Sequence, residues 1–229
     1  MVRAVKNGKL AKPVEDSRIT HSGGGPRSSP ELRAEVQEFK RRRILEESRE
    51  LFFAQGYEAT TLDAIAESLN VTKPFLYSYF RNKSEILNAI CEIGITESIA
   101  AQDEVLAMTI TPPDKLRLIV ERITNAMIRD QKYVVVYIRE EKNLEAAEQK
   151  LLIDLRKQFD INLARLLEEG NATGDFEVSN PRMLSVSISG MLTWVATWYR
   201  ARSSYAQTDV VVYMIETVER MVGRKPRTK

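Results

Sequence analysis

Cysteine and histidine are nearly absent from this chain of 229 residues, which contains one of each. The single Cys91 excludes an intramolecular disulfide and any cysteine-rich zinc site, and it suits a reducing compartment. The single His21 lies in a polar N-terminal stretch, so Cys91 has no histidine partner to activate it as a nucleophile. Glycine-rich phosphate loops are missing as well. We therefore expect no enzymatic activity, no metal and no cofactor.

Long apolar runs are also missing. The longest uncharged run, residues 183–199, contains serine, threonine and glycine and is shorter than the roughly 20 apolar residues that span a membrane. This run therefore predicts a buried helix. The N-terminal residues contain no apolar stretch of about 7 to 15 residues, which a secretory signal would need. We expect a cytoplasmic protein with no membrane partner.

The overall composition is that of a folded chain. Hydrophobic residues make up 43% and charged residues 29%, a balance that supports amphipathic helices around a core. The length predicts two domains, at about 100 to 200 residues per domain. Residues 1–34 hold seven Lys and Arg against three Asp and Glu, and their Gly, Ser and Pro content predicts a disordered basic arm over residues 1–33. This arm is either a solvated leader or a segment that touches DNA.

Three helical segments follow each other closely after the predicted arm. Apolar residues recur at helical spacing from about Glu35, and Gly56 stands where the C-terminal cap of the first helix is expected. Thr60 and Asp63 form the pattern of a capping box before a second helix of about eight residues. A turn over residues 70–72 leads directly into the third helix. Two short helices joined by so tight a turn predict a helix-turn-helix.

Side chains of the third helix fall on two faces. At about 100° per residue, Leu76 and Phe80 share the side that suits the core, while Pro74 and Ser78 point the opposite way. Pro74 and Phe75 offer apolar contact to a thymine methyl group. The alternative is an ordinary surface helix, which would leave exposed aromatic side chains unexplained. The side chains of this segment that can donate to phosphates are Thr72, Lys73, Tyr77 and Tyr79.

A basic run, residues 40–43, lies near the predicted start of the first helix, where it opposes the positive end of the helix dipole. It either reaches a phosphate or forms a solvated cluster neutralised by Glu46, Glu47 and Glu50 at helical spacing. Both interpretations stay open at this point.

A longer pattern covers residues 42–87 and includes GYEATTLDAIAESLNVTKPFLYSYFRNKSEIL. It resembles the DNA-binding domain of the TetR family of bacterial repressors in its GYEATT lead, IA core pair, VTK turn, LYSYF helix and NKSEIL start of a fourth helix. The resemblance implies that Thr61 anchors the second helix on a phosphate. It also implies that Lys83, in a helix capped by Asn82 and Glu85, clamps the DNA backbone. The implied reading surface consists of Thr72, Lys73, Pro74, Phe75, Tyr77, Ser78 and Tyr79.

The operator sequence does not carry over from this resemblance. Many relatives have glycine and a small residue where this chain has Pro74 and Phe75. Base preference depends on these positions, so we make no prediction of the bases that are read.

The chain after Leu87 predicts helices to its end, so the expected fold class is all-α. The β-favouring YVVVYI at residues 133–138 is short and flanked by helical patterns, and we expect it to be helical. Heptad-like spacing predicts two amphipathic helices near the C-terminus that pair with each other. Helix breaks are expected at residues 111–114, after Asp130, at residues 170–176 and at Ser203 and Ser204.

These patterns divide the chain into two domains and two tails. We expect a helix-turn-helix domain over residues 34–88, a helical effector-binding and dimerisation domain over residues 89–223 and a basic tail over residues 224–229. The TetR resemblance implies a two-fold homodimer, in which the last two long helices of each subunit form a four-helix bundle, and a near-palindromic operator. Two recognition helices about 34 to 36 Å apart would also multiply the discrimination that one helix provides.

Large, adaptable side chains in the second domain are candidates for an effector pocket, although such residues pack cores more often than they line ligand sites. The pairing of VVVYIREEKNL with TWVATWYR resembles a TetR branch that responds to acyl-CoA thioesters. The resemblance implies an acyl tunnel and a site for the CoA phosphates, which arginine forks match. The tunnel candidates are Trp194, Trp198 and Tyr199, with Met127, Tyr133, Tyr137, Phe159 and Met191 beside them. The candidates for contact with the phosphates are Arg139, Arg200 and Arg202. The alternative is that these arginines are ordinary surface charges.

Together these patterns predict a transcriptional repressor that binds double-stranded operator DNA as a homodimer and is released by a small hydrophobic effector such as an acyl-CoA. The alternative is a DNA-binding protein whose second domain docks a protein partner. A sensor of small molecules should contain a closed, apolar cavity, whereas a protein-docking domain should be solid inside.

Overall fold

The computed structural model describes residues 30–200 and 205–223, which form nine α-helices and one short 3₁₀ turn and contain no β-strand. The helices are α1 Pro30–Gln55, α2 Leu62–Ser68, α3 Lys73–Tyr77, α4 Lys83–Leu106, α5 Pro112–Arg129, α6 Gln131–Glu140, α7 Ala146–Thr173, α8 Pro181–Trp198 and α9 Gln207–Met221. The all-α prediction is confirmed. Outside the described residues lie most of the predicted basic arm with His21, the basic tail, Arg202, Ser203 and Ser204.

Helix α1 begins earlier than predicted and ends where it was expected. It starts at Pro30, whose fixed φ and missing N–H suit a first helical position, rather than near Glu35. The basic run at residues 40–43 therefore lies about three turns inside the helix, and the predicted unfavourable contact with the helix dipole is wrong. Gly56 ends the helix with a φ of 87°, and its N–H donates to the Phe52 carbonyl at 3.0 Å.

Thr61, and not Thr60, caps helix α2. The Thr61 hydroxyl accepts a hydrogen bond from the Ala64 N–H at 3.1 Å. Thr60 is buried, and its hydroxyl donates to the Gly56 carbonyl at 2.8 Å. The predicted capping box was displaced by one residue because two threonines stand side by side and both suit the role.

The turn before α3 and the cap of α4 follow the sequence signals. Asn70 adopts a φ of 53°, a left-handed conformation that asparagine tolerates and that reverses the chain after α2. Pro74 occupies the first turn of α3, where no N–H bond is lost. The predicted cap of α4 is confirmed, since Asn82 Oδ1 accepts from the Glu85 N–H at 2.8 Å.

Buried side chains of the described residues form two hydrophobic cores, both within the compact unit that begins at Glu38. The first core is formed by helices α1, α2, α3 and α4, and it includes Tyr133 and Val136 of α6. The second core is formed by helices α5, α7, α8 and α9, and it includes Val134 of α6 and Val105 near the end of α4. Helices α4 and α6 therefore belong to both cores, and the domain boundary predicted after residue 88 falls inside α4.

The C-terminal helices pack differently from the prediction. The YVVVYI segment is helical, within α6, as expected. Helix α9 packs mainly against α5, and α8 packs mainly against α7 and α5. The predicted pairing of α8 with α9 is thus minor within the chain, because the buried sides of both helices face α5 and the shared core.

Helix α7 continues through part of the predicted break at residues 170–176 and ends at Thr173, followed by Gly174 with a φ of 77°. Gly170 remains in the helix because Phe176 folds back over it. A Cβ at residue 170 would lie 1.9 Å from the Phe176 ring, so only glycine fits there. The break predicted at residues 111–114 is also shifted, since Thr111 caps α5 and the two prolines begin it.

Candidate DNA-binding surface and effector cavity

Helix α3 presents the two faces that the sequence predicted. Leu76 and Phe80 are buried, with Leu76 only 1% exposed, and they anchor the helix in the first core. On the opposite side, Tyr77 is 50% exposed. The side chains exposed with it are Thr72, Pro74 and Ser78, and those half-buried beside them are Lys73, Phe75 and Tyr79.

Half of the basic run on α1 packs against the aromatic residues of this segment. The ammonium of Lys40 lies 5.9 Å from the Phe75 ring centroid, and the guanidinium of Arg41 lies 5.1 Å from the Phe80 centroid. The Phe75 ring in turn packs on Tyr79 with 5.2 Å between centroids. Positive charge therefore stands next to the exposed face of α3, where a phosphate would meet it.

The other half of the run forms ion pairs within α1. Arg42 and Arg43 pair with Glu46, at 3.9 Å and 2.8 Å. Such exposed pairs contribute little to stability, and the single carboxylate offsets part of the charge of the two arginines. These two arginines fit the solvated cluster in part, and contact of the run with a phosphate stays a prediction.

Lys73 and Thr61 make contacts within the helix-turn-helix. The Lys73 ammonium lies 2.9 Å from the Asp63 carboxylate, and this hydrogen bond raises the pKa of Lys73. Thr61 remains exposed while it caps α2, so its position at the first turn of that helix is compatible with a neighbouring phosphate.

Lys83 holds the turn between α1 and α2. Its ammonium donates to the carbonyls of Tyr57, Thr60 and Glu58 at 2.8, 2.9 and 3.4 Å. It also lies 4.2 Å from the centroid of the Tyr57 ring. A DNA phosphate held by this ammonium would have to share it with three carbonyls, and the structure gives Lys83 a role in folding that the sequence did not predict.

A cavity of about 460 Å³ lies among α4, α5, α6, α7 and α8. Its size is within the range of ligand sites, roughly 300 to 1,000 Å³, and its lining is mostly apolar. Gly94 gives it room on the α4 side, since the nearest side-chain atom to a Cβ at that position would be on Val134, at 4.0 Å. The lining residues from α4 and α5 include Cys91, Ile95, Ser98, Ile123 and Met127.

The structure brings some of the predicted effector residues together and separates others. Tyr133, Tyr137 and Trp194 line the cavity, as do Met127 and Phe159. Met191, Trp198 and Tyr199 are absent from the lining. Tyr199 is buried in the second core instead, and Trp198 is exposed. Trp194 and Trp198 are four residues apart on α8, and the helix turns only the first of them toward the cavity.

Sequence reasoning missed two basic residues and one thiol at this cavity. Arg156 and Lys157 of α7 belong to its lining, and the Arg156 guanidinium lies 5.3 Å from the Tyr137 ring centroid. No local signal marks them, because α7 carries charged residues along most of its length. Cys91 lines the cavity from α4, and burial raises the pKa of its thiol to about 12. The thiol is therefore protonated at neutral pH, which does not suit a nucleophile.

Tyr137 stands at the cavity with its hydroxyl in a low-dielectric environment. Burial raises its pKa, and a hydrogen bond with Glu141 raises it further. Burial likewise raises the pKa of Tyr133. Both phenols are neutral at pH 7 and offer an apolar ring with a polar end.

A basic recess adjoins the cavity. It shares Ile138 and Trp194 with the cavity lining, and its charged members are Lys132, Arg139 and Arg200. Two of the predicted phosphate-binding residues thus lie together, outside the cavity itself. The recess is completed by Phe53, Gln131, Val135, Ala196 and Thr197.

Helix α6 connects the cavity to α1. Tyr133 lines the cavity, and the guanidinium of Arg49 lies 4.4 Å from its ring centroid. Lys132 forms an ion pair with Glu50 of α1, and Arg139 donates to the Phe53 carbonyl at 3.2 Å. These contacts place the effector region within one helix of the DNA-binding region.

At the end of α6, the buried carboxylate of Glu140 accepts a hydrogen bond from the Tyr57 N–H at 3.4 Å and one from the Asn143 side chain at 2.8 Å. The turn after α1 is therefore attached to α6 as well.

Two sequence profiles of one family match the chain. The profile described as "Bacterial regulatory proteins, tetR family" matches residues 44–90, and that described as "Tetracyclin repressor-like, C-terminal domain" matches residues 109–222. The chain belongs to the TetR family. It is accordingly a DNA-binding transcriptional regulator with a helix-turn-helix and not an enzyme, as the sequence predicted.

Individual proteins are also similar to this chain in sequence or in structure. The chain is 26% identical over 186 residues to the HTH-type transcriptional repressor KstR of Mycobacterium tuberculosis, covering 81% of this chain and 84% of the relative. The TetR family regulator PfmR of Thermus thermophilus superposes with a TM-score of 0.72 at 26% identity, covering 81% of this chain and 100% of the other. AibR, solved with isovaleryl coenzyme A and operator DNA, superposes with a TM-score of 0.69 at 22% identity, covering 78% and 97%.

The described residues also bear on other classes of site. Among residues 30–200 and 205–223, no helix is long and apolar enough to cross a membrane. The same ranges contain no group of three or more histidine, cysteine or acidic side chains placed to hold a metal ion.

Proposed function

We propose that this TetR regulator is a repressor that binds a near-palindromic operator as a homodimer and is released by an amphiphilic effector, an acyl-CoA thioester. The observation that carries the proposal is the apolar cavity lined by α6, the helix that also contacts α1. The relative KstR is named a repressor, which supports repression, and AibR was solved with isovaleryl coenzyme A, which supports the effector class. The AibR structure also contains operator DNA, so it supports binding of an acyl-CoA and not release.

The exposed face of α3 supports the DNA-reading role. Tyr77 and Ser78 carry hydroxyls for phosphates or base edges, and Pro74 offers apolar contact to a thymine methyl. Thr72, Lys73 and Tyr79 flank these residues, and Phe75 contributes its ring edge. Thr61 contributes at the start of α2, next to the same surface.

Exposed apolar side chains on α8 and α9 support the homodimer. Met183 of α8 is 68% exposed, and Val212 and Tyr213 of α9 are 49% and 61% exposed. Soluble monomers rarely expose so many large apolar groups together. Burial of this face against a second copy would form the four-helix bundle that the resemblance implies, and it would place two α3 helices on one duplex.

The apolar cavity supports a small-molecule effector over a protein partner. A protein-docking domain should be solid inside, whereas this one leaves about 460 Å³ between helices. The cavity is open to solvent beside Ile153 and Trp194, which are 41% and 59% exposed, so it is not the closed cavity that we expected of a sensor. Tyr133, Tyr137 and Trp194 would contact an acyl chain through their rings. In this proposal Met191, Trp198 and Tyr199 shape the surrounding helices without direct contact.

The test is a thermal-shift screen of the purified protein against CoA thioesters of increasing chain length, with free CoA and the matching fatty acids as controls. We expect one class of chain length to raise the melting temperature and to lower operator affinity in a gel-shift titration. Sedimentation equilibrium should give twice the chain mass. No shift across the panel would contradict the acyl-CoA assignment and leave the DNA-binding function in place.

A further inference from the structure

The basic recess beside the cavity has an unusual charge pattern. Its charged lining residues are Lys132, Arg139 and Arg200, and no carboxylate belongs to its lining among the described residues. Ile138 and Trp194 border both the recess and the cavity. A ligand with its apolar part in the cavity could thus place a polar end in the recess by passing these two side chains.

Two of the three basic side chains already contact helix α1. Lys132 pairs with the Glu50 carboxylate, and Arg139 donates to the Phe53 carbonyl at 3.2 Å. Glu50 is a true anion at neutral pH: burial would raise its pKa, but hydrogen bonds from Lys132 and Arg49 lower it overall. Phe53 lies in the last turn of α1, where unpaired carbonyls favour a cation.

Arg200 is held differently. Its guanidinium donates to the carbonyls of Thr197 and Tyr199, at 3.0 Å and 2.8 Å, at the end of α8. Its hydrogen bonds with the described residues are thus to uncharged groups, and it adds positive charge to the recess. An incoming phosphate would accept hydrogen bonds from a guanidinium fork at this edge.

The other basic pair near the cavity is a weaker site for an anion. Lys157 lies 3.8 Å from the Asp154 carboxylate, and Asp160 belongs to the same lining as Arg156 and Lys157. Carboxylates therefore offset part of the charge there, whereas the described lining of the recess contains none and Glu50, which pairs with Lys132, lies outside it.

Building on the proposed effector class, we propose that the recess binds the phosphate-bearing head of the effector, and that this anion competes with Glu50 and the Phe53 carbonyl for Lys132 and Arg139. The head group then weakens the link between α6 and α1, while the acyl chain supplies most of the binding through the cavity. Release of DNA requires the phosphates, and occupation of the cavity alone does not cause it.

The test compares two ligands that share the acyl chain and thioester and differ in phosphate. Lauroyl-CoA and lauroyl-pantetheine are titrated into the wild-type protein, with binding followed by calorimetry. Operator affinity is followed by fluorescence anisotropy on a duplex selected from a random library by the ligand-free protein. We expect both ligands to bind and lauroyl-CoA alone to weaken operator binding, by about tenfold or more. Equal weakening by saturating lauroyl-pantetheine would overturn the inference.

A variant tests the competition without relying on the ligand pair. Glu50→Gln removes the carboxylate that opposes the anion at Lys132. We expect it to lower operator affinity in the absence of ligand and to raise the affinity for lauroyl-CoA, both severalfold. Glu121→Gln, which removes an exposed carboxylate of α5, is the matched control and should change neither value. A merely structural role for Glu50 would lower both affinities together, and that result would contradict the competition.

The outcomes separate this inference from the function on which it rests. If neither thioester binds, the acyl-CoA assignment is wrong and the competition falls with it. If both bind and both release the operator equally, the effector class stands and only the role of the head group is wrong.

Discussion

The two functional regions are assembled in opposite ways. The proposed DNA-reading surface consists mainly of side chains from one five-residue helix and its flanks, with Lys40 and Arg41 of α1 packed beside it. The cavity takes side chains from α4 to α8, so its walls come from residues as far apart as Cys91 and Trp194. A surface built from consecutive residues can be altered by one substitution at little cost to the fold. A cavity built from five helices changes whenever their packing changes.

The largest expected effect is a loss of operator affinity caused by a substitution on the exposed surface of α3 alone. Tyr77→Ala should weaken operator binding by about 1 to 3 kcal/mol for each subunit, so at least about thirtyfold for the dimer, because an exposed contact to the DNA is lost twice. Anisotropy titration measures this loss. The melting temperature and its shift with lauroyl-CoA should stay as in the wild type, and a parallel loss of ligand binding would show that the two regions are less separate than proposed.

A substitution of Lys83 tests whether a residue of the DNA-binding region acts in folding or in contact with DNA. Lys83→Met should lower the free energy of unfolding by about 1.5 to 3 kcal/mol, since three carbonyls lose a charged donor. Urea denaturation measures this change, with Lys142→Met, an exposed lysine of the 3₁₀ turn, as control. A variant of unchanged stability with weakened operator binding would instead favour the phosphate contact that the family resemblance implies.

The two tryptophans of α8 test which residues belong to the cavity. Trp194→Ala should weaken lauroyl-CoA binding by about 1.5 to 3 kcal/mol through lost apolar contact, with operator affinity nearly unchanged. Trp198→Ala is the matched control, because it removes the same side chain one turn away, outside the cavity lining. Calorimetry compares the variants, and sedimentation confirms that both still dimerise. Equal losses in both variants would place the effector elsewhere.

The smallest effect concerns Cys91 and pH. Burial raises its pKa to about 12 in the folded protein, whereas an unfolded cysteine titrates near 8.5. The raised value means that its contribution to stability is complete below about pH 8.5 and is lost as pH rises toward 12, by about 1.4 kcal/mol per pH unit. Denaturation at pH 8 and pH 10 should show a steeper decline for the wild type than for Cys91→Ala. Parallel declines would contradict a buried, neutral thiol.

The sequence predicted the local structure of the helix-turn-helix closely, because its signals are local. Caps, a tight turn and the two faces of α3 depend on residues within one or two turns of each other. The errors were the start of α1, the dipole contact inferred from it for residues 40–43 and the cap placed at Thr60 instead of Thr61, and the folding role of Lys83 was missed. The contacts with DNA stay predictions. The cavity could be predicted only as a class of residues. Which side of α8 faces inward depends on α5 and α7, and no spacing within α8 distinguishes Trp194 from Trp198.

Arg156 and Lys157 illustrate the same limit. Both are exposed charged residues between the half-buried Leu155 and the buried Phe159, and their place at the cavity follows from how α7 packs against α4 and α8. The contacts of Arg139 with α1 were equally beyond a sequence argument, since they join residues 86 positions apart.

Helix α4 belongs to both the DNA-binding region and the cavity wall. Its 24 residues span about 36 Å; Lys83 in the first turn is fixed to the turn after α1, and the middle of the helix, from Cys91 to Ser98, lines the cavity. Tilting such a rod by about 5° moves its far end by about 3 Å. Once the head group has weakened the link between α6 and α1, a tilt of this size in α4 would shift a recognition helix out of step with a major groove.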